Sequence, residues 1–376
     1  MVRMGNQGGR VTSRFSLIIA GGGTGGHLFP GIAVAREVRR RFDRAEILFV
    51  TGRHPLASEI MSPMAGEFST ASIDVEGMKG RGWKKGMMVM MKLPTSVLQS
   101  MSVIRRFSPS FVLGVGGYSA GPLCVAARLL KIPTAIHEQN SFPGLTNRLL
   151  SRLVDRIFIS FEESRPHFGK KMAVLTGNPV RREFFLGLVE QPREEHEFRV
   201  LVVGGSQGAR AINEAFVEAL NILKNRGKRI VVHHQTGRLD HTRVAREYRR
   251  RGLHGEVTAF ITNMASAYES AHLVVARAGA TTIFELAAAG RPSILIPYPH
   301  ATNNHQEINA RSMVRAGGAE MILQKDLNGE ALARTLTKHM ENRPALARMG
   351  RNAGKISRPD AAKIIVDQML EMAVGK

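Results

Sequence analysis

One pattern occurs twice in this chain and narrows its fold more than any other feature. FSLIIA (15–20) is a short apolar run that stops in the glycine cluster 21–26. IAVAREVRRRF (32–42) follows, with apolar residues at helical spacing and a basic outer face. In the second half, RVLVVGGSQGARAINEAF (199–216) repeats the order of apolar strand, Gly-rich turn and helix. An apolar run too short for a helix, ended by glycines and followed by a helical period, reads as a buried parallel strand feeding a crossover helix. Similar runs recur at EILFVTG (46–52), FVLGVGG (111–117), PTAIHEQ (133–139), RIFISF (156–161) and MAVLTGNPV (172–180). They continue at KRIVVHHQTG (228–237), VTAFITN (257–263), HLVVARAG (272–279) and PSILIPYP (292–299). The predicted class is α/β, with two Rossmann-like parallel sheets rather than one long sheet.

The length agrees, because 376 residues exceed one ordinary core and domains typically run ~100–200 residues. Residues 1–14 read as a flexible basic extension without the apolar segment of a signal peptide. An N-terminal domain is predicted over 15–185, then a charged linker with Pro192 over 186–198, and a second domain over 199–359. An amphipathic helix over 360–376 ends the chain and could pack back on the N-terminal domain.

Composition removes several classes. Hydrophobic residues at 43% and charged residues at 22% exclude a wholly disordered chain. The single cysteine, Cys124, lies in the apolar run GPLCVAARLL, which excludes a disulfide scaffold and points to a reducing compartment. No apolar stretch approaches the ~20 residues that a membrane-spanning helix needs. The 53 Lys plus Arg against 31 Asp plus Glu leave a net charge of +22, which calls for an anionic partner. Nucleic acid, an anionic membrane surface and a phosphorylated substrate all qualify. Aromatic residues are only 6%, and there is neither a zinc-ligand cluster nor an aromatic-rich RNA-binding strand, so nucleic acid is the weakest of the three.

The glycine turns carry the chemistry. In GGGTGGHLFPG (21–31) glycines permit close backbone approach, and the helix start offers free N–H groups to an anion. Gly21, Gly23 and Gly26 also satisfy the dinucleotide pattern G-x-G-x-x-G. Arg53 and His54, however, stand where an acidic ribose ligand should follow the second strand. A tight turn without a ligand is the other alternative. His27, near the positive helix end, is favoured as neutral imidazole and therefore as a base, or it merely hydrogen-bonds the turn. GVGGYSAGP (114–122) is a second such turn. HEQNSFPGLTNR (137–148) brings His137, Glu138, Gln139 and Asn140 to the end of a buried strand, where ligands bind in open α/β sheets.

In the second half, GGSQGAR (204–210) offers Ser206 and Gln207 as donors. In ARAGATTIFELAAAGRPSILIP (276–297), Thr281 and Thr282 are read as helix caps and Glu285 as a first-turn residue. Such a start can receive a diphosphate while the carboxylate takes ribose hydroxyls. Alternatively Glu285 only stabilises the helix dipole, by ~0.3–1 kcal/mol. NNHQEINA (303–310) is a polar loop that either reads sugar hydroxyls or is simply solvated.

Taken together, GGGTGGHLFPGIAVA, GVGGYSAGP, HEQNSFPGLTNR, GNPVR, GGSQGA and ARAGATTIFELAAAGRPSILIPYPHATNNHQEINA resemble the MurG family, from about residue 15 to the C-terminus. These are bacterial N-acetylglucosaminyltransferases of glycosyltransferase family 28 that convert lipid I to lipid II in peptidoglycan synthesis. The resemblance implies a GT-B fold: two Rossmann-like domains with parallel sheets facing across a cleft. The C-terminal domain would hold UDP-GlcNAc. The N-terminal domain would take the lipid-linked acceptor at the cytoplasmic face of the inner membrane, as a peripheral protein. By the same resemblance His27 is the catalytic base. Thr24, Gly25, Gly26, Asn140, Arg181, Ser206 and Ile261 contact the donor, the last through backbone atoms to uracil. Ala280, Thr281, Thr282, Ile283, Phe284 and Glu285 form the donor-helix start, with Glu285 on the ribose. Gln306 resembles the sugar-reading glutamine. Some members carry two adjacent glutamines there and this chain has His305 then Gln306, so both are candidates. The implied reaction deprotonates the MurNAc 4-hydroxyl of lipid I and inverts the anomeric carbon.

No Asp-x-Asp pair occurs in the chain, so no metal or other cofactor is expected. The expected partners are UDP-GlcNAc, lipid I, the anionic membrane surface and other cell-wall synthesis and division proteins, but not nucleic acid. GMKGRGWKKGMMVMMKLP (77–94) combines Trp83, Lys84 and Lys85 with Met87, Met88, Met90 and Met91. An apolar patch beside cations suits an anionic lipid surface, and the alternative is a core helix with a basic end.

Overall fold

The computed structural model describes residues 11–22, 25–53, 55–75, 82–169, 173–185, 197–205 and 208–374, with the backbone only at 11–13, 56, 82–92 and 374. The chain forms two compact units. One takes the residues up to Arg181 together with those from Arg358 onward, and the other takes Arg182–Ser357.

The first unit alternates strands and helices. Its elements are β1 (Val11–Ala20), α1 (Gly25–Arg41), β2 (Phe42–Gly52), α2 (Pro55–Met61), β3 (Ser69–Ile73), α3 (Gly82–Phe107), β4 (Phe111–Gly114), α4 (Ala120–Leu129), β5 (Thr134–Glu138), α5 (Leu145–Leu150), β6 (Arg156–Ile159) and β7 (Ala173–Leu175). The seven strands are parallel, in the order β3-β2-β1-β4-β5-β6-β7. From Phe15 onward both faces of β1 are buried. Phe15, Leu17 and Ile19 pack with α1 on one side, while Ile18 and Ala20 pack with Leu123 and Ala127 of α4 on the other. That is why the strand reads as an unbroken apolar run rather than an alternation.

The N-terminal expectation needs correction. Residues 11–14, assigned above to a flexible extension, already belong to β1. Val11 pairs with Phe42, and Arg14 reaches Glu46 across the ladder at 2.7 Å. Because β2 starts directly where α1 ends, it offers backbone partners to the residues before Phe15.

The second unit holds β8 (Phe198–Val203), α6 (Arg210–Asn225), β9 (Ile230–Gln235), α7 (His241–Arg250), β10 (Glu256–Thr258), α8 (Met264–Ser270), β11 (Leu273–Ala276), α9 (Ala280–Ala288), β12 (Ser293–Leu295), α10 (His305–Arg315), β13 (Ala319–Met321), α11 (Gly329–Glu341) and α12 (Arg343–Gly354). Its six parallel strands run β10-β9-β8-β11-β12-β13. The strand read at 257–263 is only the three residues of β10. Of the segment read as a linker, 186–196 lies outside the described residues and Phe198 already opens β8.

The last helix, α13 (Ala361–Val374), returns to the first unit. Ile365, Val366 and Met369 are fully buried in the core beneath α1. Arg41, at the end of α1, ion-pairs with Asp367 and also takes Glu37 at 2.8 Å. Ile365→Val removes one buried methylene and is expected to cost about 0.5–1.5 kcal/mol, read as a lowered urea midpoint at unchanged slope.

Candidate active site

In the first sheet the strand order reverses between β1 and β4, the place where the crevice of an open α/β sheet lies. Two glycine turns meet there. β1 leads through Gly21 and Gly22 into α1, and β4 leads through Gly116 and Gly117 toward α4. Gly117 has φ +82°, and a Cβ on it would strike the Gly22 carbonyl oxygen, so the two backbones touch with no side chain between them. Gly25, Gly26 and His27 form the first turn of α1. The half-buried His27 places Nδ1 3.3 Å from the Gly22 carbonyl oxygen. A carbonyl only accepts, so Nδ1 carries a hydrogen, and Nε2 is the nitrogen that serves as base in the neutral ring. Thr24 lies outside the described residues.

The end of β5 is a buried polar cluster. His137 Nε2 donates to the Gly177 carbonyl at 3.2 Å, which leaves Nδ1 to accept from Gln139 Nε2 at 3.0 Å. Burial pushes the His137 imidazole down to about 4, against the raising effect of the Gly177 bond, so it is neutral near pH 7. Burial likewise raises the Glu138 carboxyl above its ordinary value, opposed by the hydrogen bonds it accepts. These come from Asn140 N (2.9 Å), Asn147 Nδ2 (2.8 Å), Gly144 N (3.1 Å) and Asn140 Nδ2 (3.3 Å). One carboxylate thus folds the loop after β5 and fixes Asn140 at its partly exposed edge. Arg181 stands over the ring of Phe29 on α1, 4.9 Å from its centre, which brings it beside the helix that carries His27.

In the second unit the reversal lies between β8 and β11. Ser206, in the turn after β8, lies outside the described residues. The turn after β11 leads into α9, and here the sequence reading is corrected. The N-cap is Gly279 (φ −64°, ψ 146°) with no side-chain cap, so Thr281 and Thr282 sit inside the first turn and Glu285 falls in the second. The extended backbone at Gly279 starts the helix before either threonine can cap it. A start without a side-chain cap keeps its N–H groups suited to an anion. Ile283 and Phe284 are core residues, with Ile283 N bonded within the helix to the Gly279 carbonyl at 3.0 Å. Ala280 is buried too, while Thr281 and Thr282 are half-buried.

The neighbouring loops are tied down. Asn309 Nδ2 donates to the Ala278 carbonyl at 3.2 Å, and Arg277 donates to the Ile296 and Pro297 carbonyls at 3.1 and 3.2 Å. Asn303 and Asn304 adopt φ of +51° and +53°, left-handed backbone that costs roughly 1–2 kcal/mol per residue. They set the start of α10. Gln306 Oε1 accepts from Tyr298 N at 3.0 Å, and His305 Nδ1 donates to the Thr302 carbonyl at 2.8 Å. Ile261 N donates to Gln235 Oε1 at 3.2 Å. Asn309 and the strained asparagine pair carry no sequence signal beyond the polarity of their loop.

The models of the glycosyltransferase family 28 N-terminal and C-terminal domains match residues 17–159 and 199–365. The chain belongs to glycosyltransferase family 28. A relative from Syntrophus aciditrophicus, named UDP-N-acetylglucosamine–N-acetylmuramyl-(pentapeptide) pyrophosphoryl-undecaprenol N-acetylglucosamine transferase, is 44% identical over 95% of this chain and 98% of its own length. One of the same name from Citrifermentans bemidjiense is 45% identical, over 94% and 99%. The crystal structure of Acinetobacter baumannii MurG superposes with a TM-score of 0.77 at 29% identity, covering 96% of this chain and all of that one. The two parallel-sheet units are accordingly the domain pair of the GT-B fold.

The predicted membrane patch divides. Trp83, Lys84, Lys85, Met87, Met88, Met90 and Met91 fall on the backbone of α3, but their side chains lie outside the described residues. A second apolar surface was not read from the sequence. On the neighbouring helices α4 and α5, Leu129, Leu145 and Leu149 are exposed, as is Leu153 in the turn after α5. The cations Lys131, Arg148 and Arg152 are exposed beside them. Among the described residues, no helix is long and apolar enough to cross a membrane.

Proposed function

We propose that this family 28 chain transfers N-acetylglucosamine from UDP-N-acetylglucosamine to the MurNAc 4-hydroxyl of undecaprenyl-pyrophosphoryl-MurNAc-pentapeptide, inverting the anomeric carbon. The observation that carries the reading is the match to transferases of that name over nearly the whole length of both chains. The geometry supplies the parts. His27 Nε2 takes the hydroxyl proton. The uncapped start of α9 holds the diphosphate and offsets the charge that grows on the departing UDP. Glu285 accepts the ribose hydroxyls, Gln306 turns its Nε2 donor to the sugar, and Ile261 reads uracil through its carbonyl, its N–H being committed to Gln235. Asn140 and Arg181 complete the sugar and phosphate contacts, with Thr24 and Ser206 supplying turn donors.

Transfer proceeds without a metal in this reading. The support is the lack of an Asp-x-Asp pair in the sequence. The protein works as a peripheral protein on the cytoplasmic face of the inner membrane. There the exposed leucines of α4, α5 and the turn after α5, with Arg148, Arg152 and α3, rest on anionic lipid.

The test is a transfer assay with labelled UDP-N-acetylglucosamine, a lipid I analogue in anionic vesicles, and chelator. Label in a lipid-extractable disaccharide is expected. Donor binding without transfer would overturn the acceptor assignment, and neither binding nor transfer would overturn the glycosyltransferase reading. Within the donor site, Glu285→Ala removes a charged acceptor, a kind of hydrogen bond worth about 1.5–3 kcal/mol. UDP-N-acetylglucosamine binding should weaken by about tenfold or more in calorimetry while the protein stays folded.

A further inference from the structure

Gln139 is almost wholly buried, and its amide is oriented without ambiguity. Nε2 donates to the Val115 carbonyl at 2.9 Å and to the His137 carbonyl at 3.1 Å, and it also approaches His137 Nδ1 at 3.0 Å. Two carbonyls on that side can only accept, so the amide nitrogen belongs there and Oε1 faces the other way. Buried as it is, Oε1 has no hydrogen-bond partner among the described residues. A buried acceptor left in that state is costly, and it marks a place where a partner is expected to arrive.

The space it faces is defined by Gly116. A Cβ built there would lie 3.5 Å from Gln139 Oε1, 3.2 Å from His27 Nε2 and 2.9 Å from His27 Cδ2. The orphan oxygen and the basic nitrogen therefore border the one space that the glycine leaves empty. The Gly116 φ of +92° keeps that position a glycine.

We propose that Gln139 is a positioning residue for His27: its Oε1 accepts the hydrogen bond that the protonated His27 Nε2 donates, directly or across one water. This rests on His27 being the base. In the step, the acceptor O–H bond breaks and its proton forms the N–H bond on Nε2. The oxygen pair left behind bonds the anomeric carbon, and the pair of the breaking C–O bond leaves on the UDP β-phosphate. Nε2 then carries a new N–H with a buried acceptor already in place. His137 serves as the anchor: donating through Nε2 to Gly177, it keeps Nδ1 open to hold the Gln139 amide in that orientation.

On the elements that pack against α1, among the described residues, the charged groups are Arg14 of β1, Asp43, Arg44 and Glu46 of β2, Glu59 of α2 and Lys363, Asp367 and Glu371 of α13, while Arg181 stands over Phe29, His137 contacts Gln139 and Glu138 lies between them in sequence. From α13, Asp367 lies only at the far end of α1. Of these only His137 changes surroundings in a Gln139 variant, because its Nδ1 loses the Gln139 amide, and its resonance is followed alongside that of His27.

The test is the titration of His27, followed by NMR of labelled imidazole carbons in the full chain. In Gln139→Met the imidazolium loses its acceptor, and the His27 midpoint should fall by about one pH unit. In Gln139→Glu a carboxylate faces the imidazolium and the midpoint should rise by at least as much. If the Glu variant does not fold, the Met variant decides alone. An unmoved midpoint in folded Gln139→Met, whatever its thermal stability, would overturn the proposal, because a purely structural glutamine changes the melting temperature only. The acid limb of kcat/KM should move with the titration. If the midpoint shifts but the acid limb stays, the Gln139–His27 pair stands and the base assignment fails.

Discussion

His27→Ala is expected to lower the transfer rate by about 10²–10⁴-fold, the range that one positioned general base supplies. The expectation rests on position rather than on residue type. His27 sits in the first turn of α1, where the helix dipole disfavours the imidazolium, and its Nδ1–H is held by the Gly22 carbonyl at 3.3 Å. Nδ1 therefore carries a hydrogen, and Nε2 lies beside the glycine-lined space. Removing the ring takes away an interaction made only as the hydroxyl loses its proton. The loss should fall on kcat, while the UDP-N-acetylglucosamine dissociation constant stays within about twofold. The helix does not depend on the ring, because Leu28, Ile32 and Val38 anchor α1 in the core. Kinetics with the lipid I analogue and calorimetry with the donor separate these quantities. Turnover within about threefold of the unaltered protein would remove His27 from the role.

How much of this was legible beforehand depended on burial. Strands covered on both faces, such as β1, β4 and β8, announce themselves as apolar runs closed by glycine. Apart from the first residues of β1, the strands that were missed or misjudged lie at sheet edges. β3 buries only Ile73 fully, and β13 is three residues long with a single buried alanine. β10 ends where its exposed side has nothing to pair with, so the apolar residues Phe260 and Ile261 continue as loop. At the site, the glycine turns and the HEQN cluster were visible because their residue types are unusual at the end of a strand. The helix start at α9 was misplaced because Thr-Thr is a strong capping signal, and nothing local reveals that Gly279 takes the cap. The relation among Gly116, Gln139 and His27 was illegible, since it joins three separate segments through tertiary packing alone.

Two buried histidines should make the protein lose stability steeply on mild acidification. His137 in the first unit and His234 in the second are both essentially without solvent exposure. Each is locked neutral. His137 sits between Gly177 and Gln139, while His234 Nδ1 lies 3.1 Å from Tyr248 OH and Nε2 lies 3.1 Å from Asn213 Oδ1. The Asn213 amide nitrogen is already given to the Thr236 carbonyl and to Asp240, so its oxygen must accept from His234 Nε2–H. Burial lowers His137 to about 4 and His234 to about 3, from an ordinary 6.5 in the unfolded chain. Well above pH 6.5 neither state is protonated and stability is flat. Below it the unfolded chain takes up a proton that the folded chain refuses, so each histidine removes about 1.4 kcal/mol per pH unit down to its folded value. Between pH 7 and 5 the expected loss is about 2 kcal/mol for each histidine, in its own unit. Glu138, whose carboxyl burial raises, opposes this in the first unit once the pH approaches its titration, so the second unit should show the fuller slope. Urea midpoints across this range measure the effect. His234→Gln should be less stable at pH 7 yet flatter with pH by about one proton. An unchanged slope in that variant would mean that the folded state admits the proton after all, and that the Tyr248–His234–Asn213 chain does not exclude it.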